Sequence, residues 1–405
     1  MNSHLNAVKI TDKVYWVGAI DWAVKDFHGY STERGTTYNA YLVMSDKITL
    51  IDTVKAPFRD EMMARISSVT DPGNIRYIIS NHAEMDHSGA LPETIKEIKP
   101  EKVFASPMGV KALNAHFNLS QELTPVKSGD TINLGNMNIS FCETKMLHWP
   151  DSMFSYLKEE KILFSQDAFG MHLASSMRFE DEIDESIIMW EAEKYFANIL
   201  MPFSSQILKL LEALPGLNLE IEKIAPDHGP VWRVKPERII ELYRKWSLQE
   251  LRPKAIIVFD TMWQSTAIMA KSIADGIIAA GGIEVKILPL SAKNRSHVAA
   301  ELLESSAIIV GSPTLNNNLF PTVADVMTYL KGLKPLNKIG AAFGSCGWSG
   351  EAVPQINAFL KDMKVETFSE GFTVKYVPKQ EDLQKCFELG KQLGMVLNQK
   401  IAGAS

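Results

Sequence analysis

Four side chains of metal-binding type fall within six consecutive residues, His82, Glu84, Asp86 and His87, in the stretch RYIISNHAEMDHSGA. They follow an apolar run at 77–80 that reads as a buried strand. Alternate residues of an extended segment share a face, so His82, Glu84 and Asp86 can converge. His87, where the chain turns into a helix, can point to a second centre, and Ser88-Gly89 permits the tight turn. A solvated acidic loop is the plainer explanation, but ligand types clustered directly behind an apolar strand are rare by chance. Three later residues sit in similar strand-end settings: His148 in KMLHWPDS, Asp167 after ILFSQ, and His228 in IAPDHGP. A lone histidine of this kind is more often structural than a ligand. Four strand-end ligand loops in one domain, however, are what a dinuclear site in a β-sandwich needs.

A second set of residues suits an anion and a flat ring. Asp260-Thr261-Met262-Trp263-Gln264-Ser265-Thr266 follows a short strand and opens a helix, whose N-terminal N–H groups and hydroxyls form a cradle for phosphate. Alone, this is equally an ordinary helix cap. There is no G-x-G-x-x-G and no G-K-[ST], which disfavours dinucleotide and P-loop sites. Two further polar loops end strands: Ser312-Pro313-Thr314-Leu315-Asn316-Asn317, and Ser345-Cys346-Gly347-Trp348-Ser349-Gly350. Trp348 has the shape to stack on an isoalloxazine ring, or to be a partly exposed loop tryptophan.

The elements that position these residues divide the chain in two. A charged helical run ends near Lys245-Trp246, Arg252-Pro253 follows, and the domains are expected at 1–250 and 251–405. In the second, apolar runs at 255–259, 283–288, 307–311, 338–343 and 371–377 alternate with amphipathic stretches. That is an α/β pattern with a doubly wound parallel sheet, which binds ligands at the carboxyl ends of its strands. In the first, VYWVGAI, YNAYLVM and ITLIDT read as short strands, and INLGNMNISFCET and SMFSYLKEEKILFSQD as hairpins turning at Gly135-Asn136 and Lys158–Lys161. Two β-rich halves with helices outside make a layered sandwich.

Composition narrows the function. A net charge of -6 with no basic tract argues against nucleic acid and anionic membranes. No apolar stretch reaches the ~20 residues of a membrane helix, and the N-terminus MNSHLNAVKITDKVYW lacks a signal-peptide pattern. The 3 cysteines, Cys142, Cys346 and Cys386, form no C-x-x-C pair. Any metal must therefore be held by histidines and carboxylates, in a protein expected to be cytoplasmic.

H-x-E-x-D-H behind a strand, followed by His148, Asp167 and His228, resembles the metallo-β-lactamase fold. LIDT, with Asp52, resembles that fold's first acidic strand end, whose carboxylate supports the metal loop rather than binding metal. Hydrolases of this fold usually carry histidine where this chain has Glu84. Four imidazoles with three carboxylates make a harder, more anionic set, which favours iron over zinc. The three polar loops of the C-terminal half resemble the FMN site of flavodoxins. Trp263-Gln264-Ser265 departs from that family's T-x-T-G-N-T loop, which leaves the individual phosphate donors open. With DFHGY, GTTYNAYLV, LHWPDSM, DHG and GSPT, essentially the whole chain resembles the flavodiiron proteins.

The resemblance implies an N-terminal metallo-β-lactamase-like αββα sandwich and a C-terminal flavodoxin-like domain. It implies one iron on His82, Glu84 and His148, a second on Asp86, His87 and His228, and Asp167 bridging. His28, in DFHGY, and Tyr195, in KYFANI, would stand beside the open gas-binding positions. Electrons would pass through FMN from a separate carrier such as a rubredoxin, or from a reduced deazaflavin, because no rubredoxin or flavin-reductase segment follows the last helix. A head-to-tail homodimer, or a dimer of dimers, would bring one subunit's FMN to the other's irons.

The expected reaction is reduction of O2 to water, of NO to N2O, or both. Reducing O2 to two waters takes four electrons, which a diferrous pair and a reduced FMN hold together. Coupling two NO takes two. The residues do not choose between the gases, and likeness to oxygen-reducing members favours oxygen. The competing readings are a metallo-hydrolase with an accessory flavodoxin-like domain, and an electron-transfer flavoprotein whose metal domain is structural.

Overall fold

Burial along the strands sorts the first half of the chain into layers. A computed structural model describes residues 5–217 and 219–404, so the first four residues of the N-terminal stretch read above lie outside it. The chain forms two units, Met1–Tyr195 with Phe203–Arg244, and Phe196–Pro202 with Lys245–Ser405.

In the first unit a 7-stranded sheet runs in the order Val8–Lys9, Val14–Trp16, Tyr41–Val43, Thr49–Ile51, Tyr77–Ser80, Lys102–Ala105, Leu123–Pro125. A 5-stranded sheet runs Thr131–Asn133, Asn138–Glu143, Met153–Leu157, Ile162–Gln166, Lys223–Pro226. Neighbouring residues on one strand face opposite ways. Ile51, Ile79 and Phe104 of the first sheet meet Ile139, Phe141 and Phe164 of the second in one core. Their neighbours Leu50, Ile78 and Val103 pack instead on Met62, Ile66, Leu91 and Ile95 of the outer helices. Each buried aliphatic side chain stabilises by about 1.5–3 kcal/mol. A one-residue slip of a strand would exchange the two faces, so the register is strongly held.

That register levels the strand ends that carry the candidate residues. Thr49–Ile51 runs parallel to Tyr77–Ser80 with Ile51 opposite Ile79, and Ile162–Gln166 runs parallel to Lys223–Pro226 with Gln166 opposite Pro226. Asp52 and Asp167 follow directly on these ends, and His82 and His228 follow one residue later. Both expected hairpins form, with Asn138–Glu143 antiparallel to Thr131–Asn133, and Met153–Leu157 antiparallel to Ile162–Gln166.

Two expected strands are each broken in two. VYWVGAI becomes Val14–Trp16 and Ala19–Asp21, and the YNAYLVM region becomes Thr36–Tyr38 and Tyr41–Val43. The first member of each pair does not continue into the second because the chain leaves the main sheet to form a side ribbon, Ala19–Asp21 with Thr36–Tyr38. Gly18 permits the departure: a Cβ there would lie 2.2 Å from the Tyr38 carbonyl oxygen.

The second unit has a parallel sheet in the order Glu284–Pro289, Lys254–Phe259, Ala307–Leu315, Ile339–Cys346, Glu366–Lys375. The last strand begins five residues before the apolar run at 371–377, because its edge position leaves it half exposed and polar at the start. Ser265–Ala280 and Gln380–Ala404 cover one face, with Ile273, Ile277, Leu393 and Leu397 in its core. Among the described residues no helix is long and apolar enough to cross a membrane.

Asp260, Glu301 and Lys338 are the buried charged residues described in this unit. Lys338 is 5% exposed and donates to the Leu303 carbonyl oxygen at 3.3 Å. Burial pulls its ammonium down to about 7, with Glu304 opposing and Arg252 adding to the shift. The unfolded chain thus binds the extra proton between that value and the ordinary lysine range, so folding gains stability as pH rises through this window. Lys338→Met should therefore stabilise the protein at pH 7 by a few kcal/mol, about what moving a lysine pKa by this much is worth. The gain should shrink toward pH 10. Denaturant titrations at the two pH values check this; a gain independent of pH would be the contrary result.

Candidate functional site

The loops at the levelled strand ends bring seven donor atoms together. The chain is extended through His82 and Glu84 and then turns into the short helix Met85–Ser88. That helix separates the motif. His82 and Glu84 gather with His148 and Asp167, whereas Asp86 swings round to join His87 and His228. The extended-face expectation that Asp86 would share a face with His82 and Glu84 fails for this reason, since the period changes from two to 3.6 at Met85.

Asp167 lies between the groups. Its Oδ2 is 3.2 Å from His82 Nε2 and 3.1 Å from His148 Nε2, while its Oδ1 is 3.1 Å from His87 Nε2 and 3.5 Å from His228 Nε2. Glu84 Oε2 stands 3.1 Å from His148 Nε2, and Asp86 Oδ2 stands 3.1 Å from His228 Nε2. Donor atoms at such separations could share a cation. All four imidazoles present Nε2, leaving Nδ1 for the protein. Glu84 and His148 retain 15–16% side-chain exposure where His82, His87, His228 and Asp167 have 0–2%, so the cluster opens on that side.

A second row fixes the rings. His82 Nδ1 is 3.1 Å from Asp151, which also accepts from Ala83 N at 2.6 Å. His87 Nδ1 faces Asp227 at 3.4 Å, and His228 Nδ1 faces the Thr37 carbonyl at 2.5 Å. Partners of this kind orient a ligand and raise its basicity. Asp52 accepts from Asn81 N at 2.6 Å and Nδ2 at 2.8 Å, which ties down the residue before His82. Gly229, φ 77°, lets the chain turn behind His228, where a Cβ would lie 2.7 Å from Met171 Cγ. Asp151 and Asp227 were missed as functional residues, although each is a carboxylate inside a quoted ligand loop, LHWPDSM and DHG. His172 was also missed. Its ring is 4.6 Å from His228 and 5.0 Å from Tyr195, and its Nδ1 meets Thr36 Oγ1 at 2.8 Å. Nothing in its sequence surroundings marks it.

The two residues expected beside the cluster differ in setting. Tyr195 is buried and donates to Asp167 Oδ1 at 3.1 Å. His28 occupies a turn at φ 55° with its side chain 78% exposed, and its Nε2 is 3.9 Å from Glu84 Oε1.

Left to themselves these groups hold protons. Burial opposes charging His82, but hydrogen bonds to Asp151 and Glu84 with the Asp167 charge raise it well above the ordinary range. Burial likewise opposes His87, and Asp86, Asp167 and Asp227 overcome it. His148, also opposed by burial, is raised to about 9 by Asp167 and Glu84. Imidazoles whose charged form is favoured in spite of burial fit a site built for a cation.

In the second unit a cavity of about 490 Å³ opens at the carboxyl ends of the strands. Its walls include Met262, Trp263 and Ser265, then 313–317 and 345–349, with Tyr376 and Val377, which were read as the end of the apolar run at 371–377 and not as site residues. Thr261, Gln264, Thr266, Ser312 and Gly350 are not among its walls. Thr266 Oγ1 meets Ser345 Oγ at 3.0 Å, and Ser312 Oγ accepts from Phe320 N at 2.8 Å, so both brace the loops. Gln264, φ 69°, precedes the helix Ser265–Ala280 and gives it no side-chain cap, and Thr261 Oγ1 is buried with no hydrogen-bond partner. An uncapped helix start with an unsatisfied hydroxyl suits a phosphate. Trp263 and Trp348 are 87% and 84% exposed, which leaves flat rings at the cavity's edge for an isoalloxazine.

Comparison with known proteins agrees with both halves. Residues 36–229 match the ODP family beta lactamase model, and 257–390 match flavodoxin. The chain is 47% identical to a nitric oxide reductase of Moorella thermoacetica over 390 residues, covering 95% of this chain and 98% of that one. It superposes on rubredoxin oxygen:oxidoreductase from the anaerobe Desulfovibrio gigas with TM-score 0.96 and 41% identity, covering 98% and 100% of the two chains. A flavodiiron protein from Giardia intestinalis gives TM-score 0.95 at 35% identity, with 99% of each chain covered.

Two outcomes follow from this geometry. Metal needs the imidazole lone pairs that protons hold, so loading at pH 7 should release protons and tighten as pH rises toward 9, the range set by His148. Weakly buffered titration with Fe2+ reads this directly; loading without acidification would contradict it. Asp151→Asn should weaken metal retention by about 10–100-fold and leave flavin binding unchanged, read by chelator competition and flavin absorbance.

Proposed function

The chain belongs to the flavodiiron protein family, and on that premise we propose that it reduces O2 to water, NO to N2O, or both, at a non-haem diiron site supplied through FMN. The observation that carries the proposal is the position of Asp167, with one carboxylate oxygen toward each of two donor groups. His82, Glu84 and His148 would hold one iron, Asp86, His87 and His228 the other, and Asp167 would bridge. The loops around Ser265, Asn317 and Trp348 would hold FMN. When bound, the irons and the reduced flavin supply two electrons each, enough for four-electron reduction of O2 or for coupling two NO.

The protein's own groups manage position and protons. Asp151, Asp227 and the Thr37 carbonyl lock three imidazoles with Nε2 inward, so little reorganisation is left for turnover. Burial, with the Asp167 charge adding, holds the Tyr195 phenol well above its usual range. Tyr195 therefore stays a donor to Asp167. Reduction of O2 consumes four protons and coupling of two NO consumes two. His28, open to solvent beside Glu84, is placed to relay them.

Electrons would come from a separate carrier such as a rubredoxin, with a reduced deazaflavin as the alternative donor. Family resemblance supports a head-to-tail homodimer, and three unpaired cysteines suit a reducing cytoplasm.

Protein with metal and FMN quantified, reduced anaerobically and pulsed separately with O2 and NO, should consume at least one gas. Asp167→Ala should lose gas reduction by at least about 100-fold while retaining FMN. A protein with two irons and one FMN that consumes neither gas would refute the proposal. Purification with zinc and no flavin colour would favour the hydrolase reading instead.

A further inference from the structure

The turn that presents His28 is too slight to hold itself in place. It joins Asp26–Phe27 to Tyr30–Ser31, a ribbon of two residue pairs closed by His28 and Gly29, both at positive φ. An isolated two-stranded ribbon is marginal in water even when longer. Two kinds of anchor seat this one. Phe27 and Tyr30 rest on His172, each with ring centroids 5.1 Å away, and His172 in turn packs on His228. The chain leaving the ribbon is gripped by one helix, Glu185–Tyr195. Lys194, its side chain fully buried, donates from Nζ to the Ser31 carbonyl at 2.6 Å, pairs with the Glu33 carboxylate and lies 5.3 Å from the centre of the Tyr30 ring. One turn earlier, Glu191 meets Arg34 at 3.2 Å.

The next residue after Lys194 is Tyr195, whose hydroxyl reaches Asp167. Adjacent helix residues point about 100° apart, so a single turn holds the ribbon with one side chain and touches the metal-binding cluster with the other. A buried ammonium is costly where an apolar side chain of like volume would fill the same space, and its retention argues for a specific geometric task.

We propose that Lys194 is a positioning residue that pins the His28 ribbon beside the open, Glu84 side of the cluster and keeps His28 in register with Tyr195. The proposal rests on the diiron reading of that cluster. With the pin removed, His28 samples positions away from Glu84, from which it cannot act on a bound gas. The gas still enters, because the open side is not narrowed.

The test uses the holoprotein with iron and FMN quantified in each variant. Lys194→Met should retain both cofactors but lower kcat per loaded site on the order of ten- to a hundredfold, the scale of a misplaced catalytic group, with gas KM changed less than about twofold. Lys194→Arg should restore most of the rate. Trypsin should cut faster at Lys25 and Arg34, which flank the ribbon, in Lys194→Met than in wild type. If Lys194 acts through His28, adding Lys194→Met to His28→Ala should cost little more than His28→Ala alone. Should Lys194→Met fold poorly, Glu33→Gln removes the pair from its exposed side and should show the same pattern in weaker form.

Wild-type cleavage and unchanged kcat in the Lys194 and Glu33 variants would overturn the proposal, as would full additivity with His28→Ala or no effect of His28→Ala. If loaded wild-type protein consumes neither gas, the functional reading fails, and the cleavage rates still decide whether Lys194 holds the ribbon.

Discussion

The first unit is organised around the cost of burying carboxylates. Glu84, Asp86 and Asp167 converge with Asp52, Asp151 and Asp227 directly behind them, and all but Glu84 are essentially inaccessible. An isolated ion in such surroundings costs several kcal/mol even after relaxation, and attraction repays this only where geometry and hydrogen bonding are good. The imidazoles are the counterweight. They either take up protons or lend lone pairs to cations, and the rigid sandwich keeps the groups from spreading apart. Left-handed backbone is the local cost: Asp52, Met146, Gln166 and Phe169 all lie in the loops around the cluster at φ between 47° and 69°. Such conformations cost of order 1–3 kcal/mol each and persist only where the surroundings over-determine them. Here two sheets in fixed register do so.

What could be read before the fold was known follows from which signals are local. Ligand types packed into His82–His87 stand out because six neighbouring residues carry the message. The strand–helix alternation after Lys254 is legible because buried parallel strands are apolar throughout. The grouping of Asp86 with His87 and His228 was not readable from periodicity, because a four-residue helix is shorter than any periodic pattern. His172 and Lys194 left no trace either. Their significance comes from residues more than a hundred positions away, Thr36 for His172 and Ser31 for Lys194. Tyr376 and Val377 entered the flavin cavity because the loop after an edge strand folds back over the site, a tertiary event with no sequence period.

The two units solve opposite problems. The first concentrates charge and excludes water from most of its donors. The second keeps its cavity open and its aromatic rings in solvent, which is what a cofactor exchanging electrons with other molecules requires. Of the buried charged groups in the second unit, Asp260, Glu301 and Lys338, the last lies on the strand side away from the loops that line the cavity. Its titration is therefore separated from the flavin site by the length of the strand Ile339–Cys346.

The order of the donors along the chain sets a schedule for maturation. His82, Glu84, His148 and Asp167 have all been synthesised when residue 167 is added, whereas the other group waits for His228. Its strand, Lys223–Pro226, must also dock beside Ile162–Gln166 before His228 can face Asp167. All four residues of one donor group thus precede in the chain the last ligand of the other. The last strand of this sheet therefore brings the last ligand with it, so that closing the sheet and completing the second donor group are one event.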